Sequence, residues 1–234
     1  MENNKEKTSI GDKINDFIRT RRKQIFIIFG ALIVLFAGVI AYFIISDSMN
    51  KKAIAEVSDL SEEYDRCRFG GENTNFFSSE INALLEKTLS FAKNKKGFAG
   101  SKAWSIIGHI YSSREDWPRA EEAWLASARA GVKTYLGPIA YFQAASAAEE
   151  QNKFEDAINY LQLCVSHNFE FPDAPRAQFN IGRLYEKLGD YSAALNAYRA
   201  VLINWPWDRT ETVDRSMLIW QNLARNQIIL LEIR

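Results

Sequence analysis

The chain has 234 residues, of which 47% are hydrophobic and 25% are charged, with 29 basic and 29 acidic side chains. This is the composition of an ordinary folded protein, long enough for one or two small domains. Balanced charge without a basic stripe argues against a nucleic-acid-binding protein, and two distant cysteines argue against a small disulfide scaffold.

An uninterrupted apolar segment lies near the N-terminus. Ile25 to Ile45 spans 21 residues without a charge, and 15 of them are Ile, Leu, Val or Phe. As a helix this segment is about 31 Å long, close to the ~30 Å hydrocarbon core of a bilayer. It has no polar face and is longer than the apolar region of a cleavable signal. We therefore predict an uncleaved transmembrane helix over 25–45, on which Gly30, Ala37 and Ala41 would permit close packing of another membrane helix.

The charges that flank this segment predict its orientation. Arg19, Arg21, Arg22 and Lys23 precede it, whereas beyond it Asp47 comes before the first lysines. Since basic flanks stay on the cytoplasmic side, residues 1–24 are predicted to form a cytoplasmic tail and the rest to be exported. The tail carries seven basic and four acidic residues, net +3, so the remainder of this neutral chain is net −3. In a bacterium the protein would be a single-pass inner-membrane protein with a periplasmic or other extracytoplasmic domain.

Residues 46–100 are predicted to form a stalk helix and a degenerate capping repeat. A helix that starts near Ala53 would continue the membrane helix outward, and the sequence RFGGENTN would end it. The next helical pattern, FFSSEINALLEKTLSFAKN, contains Ala83, which begins a series of alanines 37 residues apart: Ala83, Ala120, Ala157 and Ala194. A parallel series of small residues consists of Gly71, Gly108, Ala145 and Gly182.

Residues 101–208 contain three copies of an amphipathic helix pair, and residues 209–234 contain a final helix that would cap the array. The anchor positions of the first copy are Trp104, Ile107, Gly108, Tyr111, Trp117, Ala120 and Trp124. Those of the second are Tyr141, Ala144, Ala145, Ala148, Phe154 and Ala157. Those of the third are Gly182, Tyr185, Gly189, Tyr191, Ala194, Tyr198 and Pro206.

These small and aromatic anchors resemble the tetratricopeptide repeat (TPR). The resemblance implies an all-α fold: one N-terminal transmembrane helix followed by a solenoid of helical hairpins with capping helices. In such hairpins, small residues let helix A and helix B approach closely and aromatic residues fill the wedge between them. The period of 37 exceeds the usual ~34 residues, which places three extra residues near Tyr135–Gly137 and Pro172–Ala174.

No catalytic or metal-binding constellation is evident in the sequence. Neither histidine, His109 or His167, belongs to a recognisable metal-binding or catalytic motif, and no phosphate-binding glycine loop occurs. The pairs Glu121–Glu122 and Glu149–Glu150 are predicted to be solvated helix surface. We therefore expect no enzyme activity, no cofactor, no metal and no small-molecule substrate. Whether Cys67 and Cys164 pair in an oxidising compartment or stay reduced is left open.

A TPR array binds partners on the surface formed by its helices A. The resemblance assigns twelve groove positions, four in each repeat: Lys102, Ser105, His109 and Ser112; Ile139, Phe142, Ser146 and Glu149; Arg176, Phe179, Arg183 and Glu186. Phe142 and Phe179 are suited to an apolar side chain, and Arg176 and Arg183 to a carboxylate. The Asn-and-Lys carboxylate clamp of cytosolic chaperone adaptors is not reproduced.

The order of tail, membrane helix and TPR domain is similar to that of the single-span TPR subunits that accompany the bacterial Sec translocon. This resemblance implies a membrane-anchored scaffold with chaperone-like hand-over, whose protein partners are Sec subunits or exported chains. Two alternatives remain: an envelope or division scaffold unrelated to secretion, and a mitochondrial import receptor, whose TPR face is cytosolic. The sequence does not identify the partner, the organism or the oligomeric state, nor whether the groove or the membrane helix is the main docking element.

Overall fold

The computed structural model describes residues 10–69, 76, 78–167, 171–206 and 215–233. Gly71 and most of the predicted break after the stalk helix lie outside the described residues. Within those ranges all regular structure is α-helical: α1 (Ile10–Phe69), α2 (Ser79–Ala92), α3 (Gly97–Ser113), α4 (Trp117–Ala130), α5 (Leu136–Glu150), α6 (Phe154–His167), α7 (Ala174–Lys187), α8 (Tyr191–Asn204) and α9 (Arg215–Glu232). The chain divides into two units, residues 1–52 and 53–234.

The first unit is the N-terminal part of α1. Its backbone leaves helical geometry at Arg21 (φ −108°, ψ 16°). The apolar side chains beyond this point are exposed, for example Phe36 at 66% and Phe43 at 66%. The helix is long and apolar enough to cross a membrane, by length and composition alone. An added Cβ at Gly30 would meet no atom within 4 Å.

The second unit begins with the last part of α1. Ala53, Val57, Leu60 and Tyr64 are all buried, at the four- and three-residue spacings of one helix face. This stripe belongs to the same core cluster as residues of α2, α3 and α4. At the surface, Lys87 Nζ donates to a Glu63 carboxylate oxygen over 2.8 Å. The stalk segment is therefore also part of the folded domain.

Helix α2 packs in a different register from the one the alanine series predicted. Ala83 is exposed, whereas Ile81, Leu84 and Leu85 are buried. Leu84, Thr88 and Ala92 of α2 have the burial pattern of Ala120, Trp124 and Ala128 of α4, a spacing of 36 residues. The assignment of Ala83 to the series is wrong, because a side chain on the exposed face of α2 takes no part in helix pairing.

The three predicted helix pairs are α3 with α4, α5 with α6, and α7 with α8. In the first and third pairs, a glycine of helix A faces an aromatic ring of helix B. A Cβ added to Gly108 would lie 2.6 Å from Trp124 Cε2, and one added to Gly182 would lie 2.5 Å from Tyr198 Cε1. Ala120, Ala157 and Ala194 are completely buried. Close approach at these positions is what the repeat pattern demands.

The turn inside each pair uses one residue in the left-handed region. These residues are Glu115 (φ 57°), Asn152 (φ 60°) and Gly189 (φ 78°), each 37 residues from the next. Asp116 and Asp190 follow two of them and cap the next helix, accepting from the backbone N–H of Arg119 (3.3 Å) and Ala193 (2.9 Å). Of these three residues, only Gly189 indicates a left-handed conformation from the sequence alone, because glycine adopts that conformation without strain.

Helix α9 covers the open end of the third pair. Ala224 and Gln221 are buried, and the Gln221 amide donates to the Trp205 carbonyl at the end of α8. The core cluster at this end combines Ala224 with Phe179, Tyr198 and Val201. A solenoid needs such a cover because each repeat leaves an apolar face open.

A buried carboxylate joins the first and second pairs. Glu121 is 8% exposed and accepts hydrogen bonds from Tyr160 Oη (2.9 Å), Gln151 Nε2 (2.8 Å) and Lys153 Nζ (3.0 Å). The prediction that Glu121 is solvated surface is therefore wrong, although Glu122 is exposed. Burying a carboxylate is tolerated here because three donors compensate its desolvation.

Candidate functional site

The twelve predicted groove positions occupy α3, α5 and α7, the helices A of the three pairs. Because these helices repeat every 37 residues, the positions form rows. One row contains Lys102, Ile139 and Arg176. Nine of the twelve line two cavities, five in one and four in the other. Ser112, Phe179 and Glu186 line neither.

The first cavity, which we name the Arg176 cavity, lies between α5, α7 and α9 and measures about 230 Å³. Its lining residues are Phe142, Ala145, Ser146, Glu149, Leu161, Arg176, Asn180, Arg183, Leu184 and Trp220. The Arg176 guanidinium lies 4.7 Å from the ring centre of Phe142 and 5.8 Å from that of Trp220. Such cation–π contacts hold the guanidinium in place without neutralising its charge.

The charge of Arg176 is not compensated by an ion pair within the described residues. Its side chain is exposed, and none of the salt bridges of the described ranges includes it. The cavity lining contains two arginines and one glutamate, so its net charge is +1. A positioned, uncompensated guanidinium beside two aromatic rings is suited to a carboxylate that carries an apolar neighbour.

The second arginine of this cavity, Arg183, already forms an ion pair with Glu149. Arg183 donates from Nη1 to Glu149 Oε1 over 2.6 Å and from Nη2 to Oε2 over 2.5 Å, and Lys187 Nζ donates to Oε1 over 2.7 Å. The hydrogen bonds from Arg183, helped by Lys187, lower the pKa of Glu149 to about 2. Glu149 is therefore an inter-repeat link and not the solvated surface residue that was predicted, whereas Glu150 is exposed.

Phe179 differs from its predicted role as an open apolar anchor. Its side chain is 8% exposed and lies 5.1 Å from the Tyr198 ring and 5.5 Å from the Trp220 ring. The cap helix covers it, so Phe179 is a core residue. The other two positions outside the cavities have internal partners: Ser112 accepts from Trp124 Nε1 over 3.3 Å, and Glu186 accepts from the Tyr198 hydroxyl.

The second cavity, which we name the Lys102 cavity, measures about 210 Å³ and lies between α1, α3, α4 and α5. Its lining residues are Ser61, Tyr64, Asp65, Arg68, Lys102, Ser105, Ile106, His109, Trp124, Leu136, Ile139 and Gln143. The His109 ring stacks on Tyr64 at 6.2 Å and meets the Trp124 ring edge-on at 4.7 Å.

His109 contributes no charge to this cavity at neutral pH. Burial between two aromatic rings, with the positive charges of Arg68 and Lys102 nearby, lowers the pKa of His109 to about 4. The charged lining is then Arg68 and Lys102 against Asp65, again net +1. The linings of both cavities are therefore net positive, although the chain outside its N-terminal tail has a net charge of −3.

Sequence reasoning missed the contributions from outside the three repeats. Trp220 of α9 completes the Arg176 cavity, and Tyr64, Asp65 and Arg68 of α1 complete the Lys102 cavity. A signal for the second group was present, because the stripe Ala53, Val57, Leu60 and Tyr64 marks the packed face of α1. Within the described ranges, no group of three His, Cys, Asp or Glu side chains is arranged to hold a metal ion.

Comparison with known proteins agrees with the helix-pair geometry. A family model described as tetratricopeptide repeat matches residues 107–165 and 142–208. The chain is also similar to a TPR repeat-containing protein of Treponema pallidum (strain Nichols), with 26% identity over 224 residues, covering 88% of this chain and 92% of that protein. Such repeats are typical of scaffolds for protein–protein interaction. The domain packed from these helix pairs is all-helical in its described regular structure and carries tetratricopeptide repeats.

Proposed function

We propose that this protein is a membrane-anchored TPR adaptor that binds segments of partner proteins on its helix A surface. The observation that carries the proposal is the Arg176 guanidinium, held between Phe142 and Trp220 and without an ion-pair partner among the described residues. An ordered cation beside apolar surface costs little to immobilise on binding. A partner side chain with a carboxylate would gain a charge-assisted hydrogen bond there.

The membrane anchor is the second part of the proposal. Its support is the uncharged 21-residue segment Ile25–Ile45, preceded by Arg19, Arg21, Arg22 and Lys23. The described apolar side chains of this segment are exposed, and the helix is long enough to span a bilayer. We infer that it stays uncleaved, with residues 1–24 in the cytoplasm and the repeat domain on the other side. Small residues at Gly30, Ala37 and Ala41 would offer a further contact to another membrane helix.

The partners of such an adaptor would be proteins at the export machinery. We propose Sec translocon subunits, or exported chains passed to periplasmic chaperones, on the basis of the similar order of tail, span and repeats. An envelope or division scaffold has the same architecture and remains the alternative. The relative from Treponema pallidum, a bacterium, favours both over a mitochondrial import receptor.

Crosslinking and capture from native membranes would test the proposal. The wild-type chain, Arg176→Ala and the control Lys133→Ala would be expressed at equal levels, crosslinked and purified. Lys133 is exposed and lines neither cavity. We expect the same partner with wild type and Lys133→Ala and a loss of at least tenfold with Arg176→Ala. Equal capture by all three would contradict docking at the Arg176 cavity.

A reporter that is active only outside the cytoplasm, fused after Arg234, would test the anchor. We expect activity in the membrane fraction. Replacing residues 25–45 by an unrelated apolar span should leave both activity and capture unchanged. Loss of capture in this exchange alone would show that the membrane helix is the docking element, and a soluble reporter would show cleavage.

A further inference from the structure

The capping helix α9 is apolar on its outer face as well as on its inner face. The inner face contains Ala224, which is buried in the core cluster at the end of the third helix pair. The outer face carries a row of side chains at alternating spacings of four and three residues, which we name the outer stripe: Ile219, Leu223, Asn226, Leu230 and Ile233. All five side chains are exposed, and the exposed fraction of the four apolar ones ranges from 38% to 78%.

This outer face differs from the usual end of a solenoid. A terminal helix normally presents a polar surface to water, because no further repeat covers it. The alternating spacing is instead that of a seam along which two helices pack. The described charged side chains of α9 lie off the stripe: Arg225 donates to Asn222 Oδ1, and Glu232 is paired with Arg199. The outer stripe is therefore suited to a second helix with an uncharged face.

A lipid surface matches this face less well. Helices that lie on membranes are rich in lysine and arginine on their polar face. Helix α9 contains two arginines and no lysine. Immersion in acyl chains would also leave the amide of Asn226 without hydrogen-bond partners, which costs free energy.

Asn226 indicates that the second helix belongs to another copy of this chain. It lies at the centre of the stripe, seven residues from Ile219 and seven from Ile233. The side chains follow in the order Ile, Leu, Asn, Leu, Ile from either end, so a second copy matches apolar with apolar residues whichever way it runs. An amide has both donors and an acceptor, so two asparagines satisfy each other across the seam. A single polar residue in an apolar seam also fixes the register.

We propose that the outer stripe of α9 is a homodimer interface, in which Asn226 of one copy meets Asn226 of the other at a two-fold axis. Each copy would then contribute the same surface, as in isologous dimers. The interface is separate from the helix A surface, and its occupancy does not depend on a bound partner.

The available area predicts that this dimer is weak for a freely diffusing chain. At the observed exposures, the apolar side chains of the stripe and the neighbouring Ile229 present about 300 Å² per copy. Because homodimer interfaces are about 65% apolar, two copies would bury about 900–1,000 Å² in all. This is the lower limit for a specific interface. The proposed membrane anchor would compensate, since tethering raises the effective concentration of the two copies.

Disulfide crosslinking in native membranes would test the interface. Two full-length copies with different epitope tags, both carrying Cys67→Ser and Asn226→Cys, would be co-expressed and treated with a mild oxidant. A disulfide requires two Cβ atoms within about 4.5 Å of each other. We therefore expect an adduct with both tags, at least fivefold more abundant than from Glu122→Cys, an exposed position on α4. Absence of this adduct, or an adduct with a different protein instead, would overturn the proposal.

Two matched substitutions show whether the stripe causes the crosslink. Leu230→Glu in the Asn226→Cys background should reduce the adduct to the level of the Glu122→Cys control, because two charges would enter the seam. Leu163→Glu, at an exposed leucine of α6, should leave the adduct unchanged. Equal effects of both would overturn the proposal. Circular dichroism melts would confirm that each variant retains the fold.

Further variants separate the dimer from the proposed function. Arg176→Ala should leave the adduct unchanged even if it abolishes partner capture. Replacing residues 25–45 by an unrelated apolar span keeps the tether and should also leave the adduct unchanged. Loss of the adduct in this exchange alone would show that the membrane helix forms the dimer, and the α9 interface would be wrong.

Opposite charges test whether Asn226 faces its own copy. Energy transfer between fluorescently labelled full chains in phosphatidylcholine vesicles would report association. Asn226→Asp and Asn226→Lys should each weaken self-association about tenfold, or about 1.4 kcal/mol, because like charges then meet at the axis. An equimolar mixture of the two variants should recover association, because opposite charges meet. A mixture that associates no better than either variant alone would overturn the two-fold arrangement.

Discussion

Arg183 of α7 donates two hydrogen bonds to the Glu149 carboxylate of α5, at 2.6 Å and 2.5 Å, and so links the second helix pair to the third. The two residues are 34 positions apart in sequence. This bidentate contact sits beside the uncompensated Arg176, so one arginine of the cavity holds the repeats together and the other is open to a ligand. Stability and binding can therefore be tested with different residues.

The Glu149 link should make the domain sensitive to acid. The folded pKa of Glu149 is about 2, below the ~4.3 of an unfolded glutamate. Its stabilising contribution is complete above the unfolded pKa and is lost as the pH falls through the folded one. Glu149→Gln should lower the melting temperature near pH 7, and this difference from wild type should shrink between about pH 5 and pH 2.

The exposed neighbour Glu150 is the matched control for this experiment. Glu150→Gln should melt like wild type at every pH. If the Glu149→Gln difference were constant from neutral pH to pH 2, the carboxylate charge would not be the source of the stabilisation.

Gly182 should tolerate no side chain while Tyr198 faces it. An added Cβ would lie 2.5 Å from Tyr198 Cε1, so Gly182→Ala forces the two helices apart at a cost of about 1–3 kcal/mol. In a Tyr198→Leu background the ring is absent and the same substitution should cost much less. Denaturant unfolding of the four proteins gives the coupling free energy. An equal cost in both backgrounds would show that the contact between α7 and α8 is misplaced.

The left-handed turn residues offer a stabilising substitution. Glu115 has φ 57° and an exposed side chain, so Glu115→Gly relieves backbone strain at little loss of contacts. We expect a gain of about 0.5–1 kcal/mol, whereas Gly189→Ala at φ 78° should lose about 1–2 kcal/mol.

Glu115→Ala is the control, since alanine keeps the positive-φ penalty and should bring no gain. Thermal melts of the three variants suffice. Stabilisation by alanine as large as that by glycine would place the effect in the side chain and not in the backbone.

Phe142 and Phe179 should behave differently although they occupy equivalent repeat positions. Phe179 is buried against Tyr198 and Trp220, so Phe179→Ala should cost about 3–5 kcal/mol of stability. Phe142 is half-buried and contacts Arg176, so Phe142→Ala should mainly weaken partner capture. Equal melting temperatures for the two variants, or undiminished capture by Phe142→Ala, would contradict this division.

The helix pairs could be predicted from sequence because their contacts are local and periodic. Gly108 and Gly182 recur where an aromatic ring of the next helix needs space, and the alanine series places the buried face of each helix B. The series failed at Ala83 because the pairing of α2 is one residue out of phase with the repeats. The 37-residue spacing of alanines could not reveal this shift, because the residue of α2 that corresponds to Ala120 is a leucine, Leu84.

The chemistry of the site depended on contacts that no repeat pattern encodes. Glu121 and Glu149 were predicted to be surface residues because the side chains that donate hydrogen bonds to them lie 30 or more positions further along the chain and could not be identified from the sequence. Trp220 lies in a cap helix without a repeat motif, yet it covers Phe179 and completes the Arg176 cavity. The resemblance assigned twelve groove positions, nine of which line the two cavities, but it did not indicate which cation lacks an ion pair.

Site-specific photocrosslinking in native membranes tests the central claim, docking on the helix A surface, most directly. A photoreactive residue at Ser146, exposed in the Arg176 cavity, would be compared with one at Leu163, which is 45% exposed on α6 and lines neither cavity. We predict a protein adduct from Ser146 that disappears with Arg176→Ala, and none from Leu163. Adducts from Leu163 without adducts from Ser146 would contradict the account.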